Sequence, residues 1–219
     1  MNRYLREYQA MGTGGGLYHF RDQILRGKVD YVVVLQADVC FGFPLTEVIE
    51  FHRQNPNALG TVVGKKVPRD FAKNFGCIVS NENNEILHYA EKPETFVSDT
   101  ISCGIYVFSP EIFDRLGDAF NVRSQESSSQ TVLSRQLSVD MPEVLSLETD
   151  LLVKEAGAGR LFLFKTEGSW GQMKSAGFDP FFIYTFLPFD IVLTEGFDAL
   201  QVCPHHEQSL PGEAQAERP

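Results

Sequence analysis

The sequence has few cysteines and no excess of positive charge, and both facts exclude whole classes of protein. Only four of the 219 residues are cysteine, and no two are spaced as a C-x-x-C pair. A disulfide framework is therefore not expected, and a reducing compartment is favoured. The formal net charge is −10 and the isoelectric point is about 5.0. Because nucleic-acid-binding domains usually carry a basic stripe, no nucleic-acid partner is expected.

Long apolar runs are also lacking. The first twelve residues contain no apolar stretch that would act as a signal peptide. The most apolar segment, residues 181–193, is interrupted by Pro188 and Asp190, and it is shorter than the roughly 20 residues of a membrane-spanning helix. We therefore expect a cytoplasmic protein with no membrane partner.

What is present is an alternation of strand-like and helix-like segments, which predicts an α/β fold. The apolar run 31–35 predicts a strand covered on both faces. A helical pattern at 45–53 and a strand at 59–63 follow, which indicates a parallel strand–helix–strand unit with a right-handed crossover. The other predicted strands are a hairpin at 75–79 and 86–90 and single strands at 101–108 and 161–165. The other predicted helices are at 2–9, 17–25, 110–120 (capped by Ser109) and 148–156. A turn is expected at 12–16 and a loop at 168–172.

Composition divides the chain into one domain and two regions of low apolar content. The domain is expected over residues 1–195. Residues 122–140, rich in serine and glutamine, predict a flexible insertion, and residues 196–219, rich in polar residues and proline, predict a disordered tail. Such segments bury too little apolar surface to offset the entropy of ordering.

Charged residues follow two of the predicted strands. Asp38 comes just after the strand at 31–35, and ligands of open α/β sheets bind beyond the carboxyl ends of strands, so Asp38 is a candidate Mg²⁺ ligand. In Glu91-Lys92-Pro93, the lysine can neutralise a phosphate and the glutamate can accept hydrogen bonds from sugar hydroxyls. Taken alone, each feature is better explained by a simpler role, a capping carboxylate or a solvated ion pair.

Glycines mark two further candidate regions. The run from Gly12 to Gly16 precedes a helix, where exposed amides favour anions and a missing side chain permits close approach to a base. The simpler alternative is a turn that initiates the helix. Gly76 and Gly104 each interrupt a predicted strand, which indicates either the close approach of another group or a β-bulge.

Taken together and in order, these motifs resemble the sugar-phosphate nucleotidyltransferase family. The resemblance extends over most of residues 3–187 apart from the insertion. Two segments, GGGLYHFRDQIL at 14–25 and HYAEKPETFVS at 88–98, are similar to the alpha type of GDP-mannose pyrophosphorylase. The matching phrases are GTGGGL at 12–17, LQADV at 35–39, FGC at 75–77, EKPETFVS at 91–98, CGIY at 103–106 and Trp170.

The resemblance implies a Rossmann-like nucleotidyltransferase fold with a mixed central sheet. In this family a sugar 1-phosphate attacks the α-phosphorus of a nucleoside triphosphate, and Mg²⁺ balances the charge. Asp38 is then the first metal ligand, and with Lys92 it forms the catalytic pair. The implied nucleotide-binding residues are Gly12, Thr13 and Gly14, and the implied sugar-binding residues are Gly76, Glu91, Lys92, Ser102 and Gly104.

Three departures from the family pattern bear on activity. The family's first strand and glycine-rich triphosphate loop are absent from the sequence, so the fold is expected to be partial. Active members carry Trp-x-Asp, whose aspartate is the second metal ligand, whereas this chain has Gln172 there, as in the alpha type. Asp179 is then the remaining candidate for a second carboxylate. Ser102 stands where the family usually has asparagine.

The main hypothesis is a regulatory protein that binds GDP-mannose with little dependence on Mg²⁺. Its expected partners are a catalytic beta-type pyrophosphorylase subunit, further copies of itself, or both. One alternative is an active mannose-1-phosphate guanylyltransferase that makes GDP-mannose from GTP and mannose 1-phosphate. The other is a non-functional fragment, because loss of a central strand would leave sheet edges exposed.

Overall fold

The apolar segments pair into a six-stranded mixed sheet in the computed structural model, which describes residues 5–42, 44–129 and 144–172. A separate two-stranded ribbon pairs β2 with β8. The strands are β1 (Val32–Leu35), β2 (Val39–Phe41), β3 (Gly60–Lys66), β4 (Gly76–Ser80), β5 (Ile86–Glu91), β6 (Thr100–Phe108), β7 (Leu161–Lys165) and β8 (Trp170–Gln172).

Strand β6 is the centre of the sheet, because it is buried along its whole length and pairs on both edges. One edge is antiparallel to β3. The other edge is shared: Leu35 at the end of β1 lies opposite Ile105, and Cys77 near the start of β4 lies opposite Ile101. A gap therefore separates the end of β1 from the start of β4 along one edge of β6.

The mixed sheet confirms the expected fold class, but β1 and β3 are not neighbours. Both are antiparallel to β6, which lies between them. They nevertheless run in the same direction, as the intervening helix suggested. Strand β3 forms its parallel pairing with β7 instead.

Helices cover both faces of the sheet, which explains why its central strands are apolar throughout. Alternate residues of a strand point to opposite faces. Tyr106 and Phe108 pack with Leu116 on one face, whereas Ile105 and Val107 belong to the cluster on the other face. The helices are α1 (Gly12–His19), α2 (Arg21–Ile24), α3 (Leu45–Arg53), α4 (Arg69–Ala72), α5 (Ile112–Ser129) and α6 (Val153–Glu155), and a π-helical turn, Glu148–Leu152, leads directly into α6.

Several local expectations are corrected. The glycine run at 12–16 lies in α1 rather than in a turn, and residues 5–10 are not helical. Helix α5 continues through Ser129, so residues 122–129 of the expected insertion are helical. Ser109 does not cap α5 through its side chain, because its buried hydroxyl has no hydrogen-bond partner among the described residues. Part of the loop predicted at 168–172 forms β8.

Other expectations are confirmed or fall outside the described ranges. Cys40, Cys77 and Cys103 are free and buried, as expected of small apolar side chains. Cys203, residues 130–140 of the expected insertion and the tail at 196–219 lie outside the described residues. Across the described ranges, the helices are too short or too polar to cross a membrane.

A buried histidine connects α3 to the sheet. His52 Nδ1 lies 2.9 Å from the hydroxyl oxygen of Thr61, and the ring of Tyr31 packs edge-on at a centroid distance of 5.5 Å. Burial lowers the pKa of His52 below its ordinary value of 6.5, because the charged ring would lose its hydration. The folded state therefore favours the neutral ring.

This histidine predicts acid sensitivity. The unfolded chain takes up the proton first as the pH falls below about 6.5, so the free energy of unfolding should decrease, by about 1.4 kcal/mol for each unit by which the pKa is lowered. His52→Gln should flatten this part of the pH dependence in denaturant titrations. His88→Gln is the matched control, because the exposed His88 ring should leave the slope unchanged. Equal slopes for both variants would contradict the assignment.

Candidate functional site

The gap between β1 and β4 forms a polar pocket of about 150 Å³. It lies at the carboxyl end of β1 and is bounded by the middle of β6, the start of β4, the end of β5 and the π-helical turn. Its lining residues are Gln36, Asn74, Phe75, Gly76, Tyr89, Glu91, Lys92, Ser102, Gly104, Tyr106, Glu148 and Gln172.

The structure brings together six of the residues predicted from the sequence, and it adds six that were missed. Those brought together are Gly76, Glu91, Lys92, Ser102, Gly104 and Gln172; those missed are Gln36, Asn74, Phe75, Tyr89, Tyr106 and Glu148. A buried tyrosine needs a partner for its hydroxyl, and that was the available signal for Tyr89 and Tyr106. No spacing in the sequence relates Glu148 to Gln36, 112 positions away.

Lys92 stands at the pocket with an unusual backbone conformation. Its φ is 42°, one of two positive values among the described residues other than glycine. Its amide donates to the carbonyl oxygen of Phe75 at 3.2 Å, and its Nζ lies 3.6 Å from Glu91 Oε1. Strained backbone of this kind persists only where neighbouring contacts fix it, and it concentrates at functional sites.

Glu91 is a partly buried acceptor beside this lysine. Its Oε2 accepts a hydrogen bond from the hydroxyl of Tyr89 at 3.3 Å. Burial raises the pKa of Glu91 above its ordinary value, and the negative charge of Glu148 raises it further, while Lys92 opposes both effects. Burial also raises the pKa of Tyr89 and Tyr106 well above the usual range, so both hydroxyls stay protonated as donors.

Glu148 is the second carboxylate of the pocket and is held by three donors. Its Oε1 accepts from Gln36 Nε2 at 3.0 Å and from the hydroxyl of Tyr106 at 3.2 Å. Its Oε2 accepts from the hydroxyl of Ser146 at 3.1 Å. Hydrogen bonds of this kind fix the orientation of a carboxylate.

An ion pair between the buried Asp150 and the partly exposed Arg123 fixes the turn that carries Glu148. Asp150 is buried, and its Oδ1 accepts from Arg123 Nη2 at 2.7 Å while its Oδ2 accepts from the amide of Ser146 at 2.8 Å. Arg123 also donates to the carbonyl oxygen of Val144 at 3.2 Å. The segment that leads into the π-helical turn is therefore tied to α5.

The two strand glycines of the pocket permit side chains of the chain itself to approach closely. A Cβ at Gly76 would collide with the Tyr89 hydroxyl and lie 2.9 Å from Glu91 Oε2. Gly104 has a φ of 73°, and a Cβ there would overlap the carboxamide of Gln36. At both positions close approach, rather than space for a ligand alone, requires glycine.

Asp38 lies beside the pocket lining rather than in it. The next residue, Val39, pairs with Gln172, and Gln172 lines the pocket, so both are at the same end of the site. Within the described ranges, no three His, Cys, Asp or Glu side chains form a metal-binding group. One carboxylate and one neutral amide do not make a Mg²⁺ site from protein ligands alone, and Asp179 lies outside the described residues.

The glycine run packs against the chain instead of lining the pocket. The amide of Gly15 donates to the carbonyl oxygen of Leu145 at 3.1 Å, and the Leu145 amide donates to Met11 at 2.8 Å. A Cβ at Gly12 would lie 2.7 Å from the Leu145 carbonyl oxygen, and one at Gly14 would lie 3.0 Å from it. The nucleotide-binding role expected for Gly12, Thr13 and Gly14 thus stays a prediction.

This packing predicts the outcome of a substitution. Gly12 has a φ of 73° in addition to the close carbonyl, so Gly12→Ala should lower the free energy of unfolding by about 1–3 kcal/mol. Gly27→Ala is the matched control, because Gly27 has a φ of 101° but no atom within 4 Å. Denaturant titrations should show a larger loss for Gly12→Ala. An equal loss would mean that the contact with Leu145 contributes nothing.

Comparison with known proteins agrees with the fold. Residues 2–150 match the family model described as nucleotidyl transferase, and the chain belongs to this family. A Bacillus anthracis crystal structure, described as a glucose-1-phosphate thymidylyltransferase in complex with a sucrose, has a TM-score of 0.56 at 18% identity. The match covers 78% of this chain and 58% of that one, and at this identity it speaks for the fold alone.

Curated relatives narrow the resemblance to the alpha type, as expected from the sequence. The mannose-1-phosphate guanylyltransferase regulatory subunit alpha of Xenopus tropicalis is 49% identical over 177 residues, which are 80% of this chain and 41% of the relative. The protein of that name from Sus scrofa is 46% identical over 178 residues, with the same coverage of 80% and 41%. The chain therefore spans about two fifths of the length of these relatives.

Proposed function

We propose that this chain binds the sugar and phosphate portion of a nucleotide sugar, GDP-mannose, in a regulatory rather than a catalytic role. The observation that carries the proposal is one pocket with two oriented carboxylates, Glu91 and Glu148, beside Lys92, while the neutral amide of Gln172 lines the same pocket. Two acceptors and one cation suit a ligand with several hydroxyls and a phosphate.

The two carboxylates suit the hydroxyl groups of a sugar. A charged acceptor forms stronger hydrogen bonds than a neutral one, and both carboxylates are already oriented by donors from the chain. A ligand with vicinal hydroxyls can donate to both without reorganising them, which reduces the entropic cost of binding. Binding of an anionic group at this end is opposed by the same two charges.

Lys92 suits the phosphate end of the ligand. Its side chain is 60% exposed, and its Nζ lies 3.6 Å from Glu91 Oε1. Without a ligand, this exposed pair contributes little to stability, so the lysine can turn to a phosphate at little cost. The strained backbone then has a functional reason, because it directs the side chain to the pocket.

A catalytic role has less support. Phosphoryl chemistry depends on charge stabilisation and positioning, and the position expected to bind the metal offers a single carboxylate, Asp38, near the neutral amide of Gln172. The regulatory role implies a catalytic partner, and we propose a beta-type pyrophosphorylase subunit, with self-association as a further assembly. The second candidate function is an active guanylyltransferase, favoured by Lys92 in the pocket lining and by Asp38, whose neighbour Val39 pairs with the lining residue Gln172.

Calorimetry with GDP-mannose tests the proposal through Lys92. Wild type should bind with a Kd that changes little between Mg²⁺ and a chelator. Lys92→Gly should weaken binding roughly tenfold to hundredfold, because a charged contact is lost. The same change should raise the free energy of unfolding by roughly 1 kcal/mol, because glycine relieves the strained backbone.

A second left-handed residue provides the control. Asn84 has a φ of 61° in the turn between β4 and β5 and does not line the pocket. Asn84→Gly should therefore leave GDP-mannose binding unchanged. Absence of binding by wild type, or equal binding by wild type and Lys92→Gly, would contradict the proposed function.

Gln172 distinguishes the regulatory from the catalytic function. Under the proposal, wild type releases no pyrophosphate from GTP and mannose 1-phosphate. Gln172→Asp should make GDP-mannose binding dependent on Mg²⁺, since a second carboxylate then stands near Asp38. Gln172→Asn retains a neutral amide and should remain independent of Mg²⁺. Steady pyrophosphate release by wild type would establish the active enzyme instead.

A further inference from the structure

We propose that Gln36 is a positioning residue that fixes Glu148 as an acceptor for the hydroxyl groups of the sugar. The inference rests on the proposed function, because it assigns the ligand to this pocket. Gln36 is the first residue after β1, and Glu148 belongs to the π-helical turn. Their side chains connect two distant parts of the chain at the bottom of the gap in the sheet.

The backbone of Gln36 is fixed before its side chain acts. Its amide donates to the carbonyl oxygen of Gly104 at 2.9 Å, which continues the ladder between β1 and β6 by one residue. Its Nε2 then donates to Glu148 Oε1 at 3.0 Å. Because the main chain is anchored to the sheet, the carboxamide holds Glu148 in a defined position relative to β6.

Gly104 provides the space that this arrangement needs. With a φ of 73° and no side chain, it leaves room for the carboxamide oxygen of Gln36, which any Cβ at position 104 would displace. The glycine that interrupts β6 is thus matched to Gln36. Its conformational freedom is used to admit one particular side chain.

A second donor reaches the same oxygen of Glu148 through a directed series of hydrogen bonds. The Gly104 amide lies 3.4 Å from the Ser102 hydroxyl, which lies 3.4 Å from the Tyr106 hydroxyl, and this in turn lies 3.2 Å from Glu148. An amide can only donate and a carboxylate can only accept. The Ser102 hydroxyl therefore donates to the Tyr106 hydroxyl, which donates to the same Glu148 oxygen as the carboxamide of Gln36.

The consequence is an oriented carboxylate that still has acceptor capacity for a ligand. The donors from Gln36, Tyr106 and Ser146 fix its orientation, and its remaining lone pairs require a donor such as a hydroxyl. The titratable groups facing it are Tyr106, Tyr89 and Glu91, with Lys92 beyond Glu91. Of the three donors to Glu148, Gln36 is the one that an isosteric replacement, glutamate, converts from a donor into an acceptor.

The test is Gln36→Glu, which changes shape little but places a second carboxylate against Glu148. GDP-mannose binding should weaken roughly tenfold to hundredfold at neutral pH, because a donor becomes a repelling acceptor. Binding should recover at acidic pH, where the two carboxylates share one proton and an O–H donor replaces the amide. Gln36→Asn, whose amide is one methylene shorter, should lose affinity without recovering it at acidic pH.

The matched control is Gln23→Glu, which adds the same charge on the exposed surface of α2. It should bind as wild type does at every pH. If wild type binds GDP-mannose and Gln36→Glu binds with the same affinity and the same pH profile, the role of Gln36 is refuted while the proposed function stands.

A ligand-free measurement separates this inference from the proposed function. The thermal midpoint of Gln36→Glu should fall several degrees below that of wild type at neutral pH, and the deficit should shrink as the pH falls. If wild type fails to bind GDP-mannose, the proposed function is contradicted. The thermal midpoints still test the contact between Gln36 and Glu148, because they need no ligand. A deficit that does not depend on pH, or one equal to that of Gln23→Glu, would overturn the inference.

Discussion

The site depends on how one edge of β6 is divided between two strands. If β1 or β4 paired with the full length of β6, its backbone groups would be satisfied by a continuous ladder, and no opening would exist. The two strands instead stop short of each other. On this edge of β6, the residues between Ile101 and Ile105 therefore lie beside pocket side chains and not beside a paired strand. Buried polar groups must be paired, and here Gln36, Ser102, Tyr106 and Glu148 meet that need.

The gap between β1 and β4 also explains how two carboxylates, Glu91 and Glu148, can be partly buried at the sheet. An isolated buried charge would be strongly unfavourable, but Glu148 has three donors, and Glu91 has a tyrosine hydroxyl and a neighbouring lysine. Even so, burial and the charge of Glu148 both raise the pKa of Glu91. A ligand that supplies additional donors would therefore stabilise the charged form of Glu91.

The sequence predicted the architecture well wherever a local pattern decided it. Apolar runs gave the strands and their burial, and a serine- and asparagine-rich turn gave the β4–β5 hairpin. It failed on pairing, because no local signal shows that β6, the sixth strand in the chain, lies between β1 and β3. The start of helix α1 was missed because four glycines among its eight residues oppose helix formation, and contacts with Leu145 override that preference.

The pocket shows the same division between local and long-range information. Glu91, Lys92 and Gly76 were found from short motifs, each placed by the strand that contains or precedes it. Glu148 and Gln36 could not be found in this way, since their pairing needs the fold to join positions 112 residues apart. A carboxylate near the start of a helix has an ordinary explanation as a favourable charge at that end. What distinguishes Glu148 is that donors from β1, β6 and its own turn converge on it, and that convergence is a property of the assembled sheet.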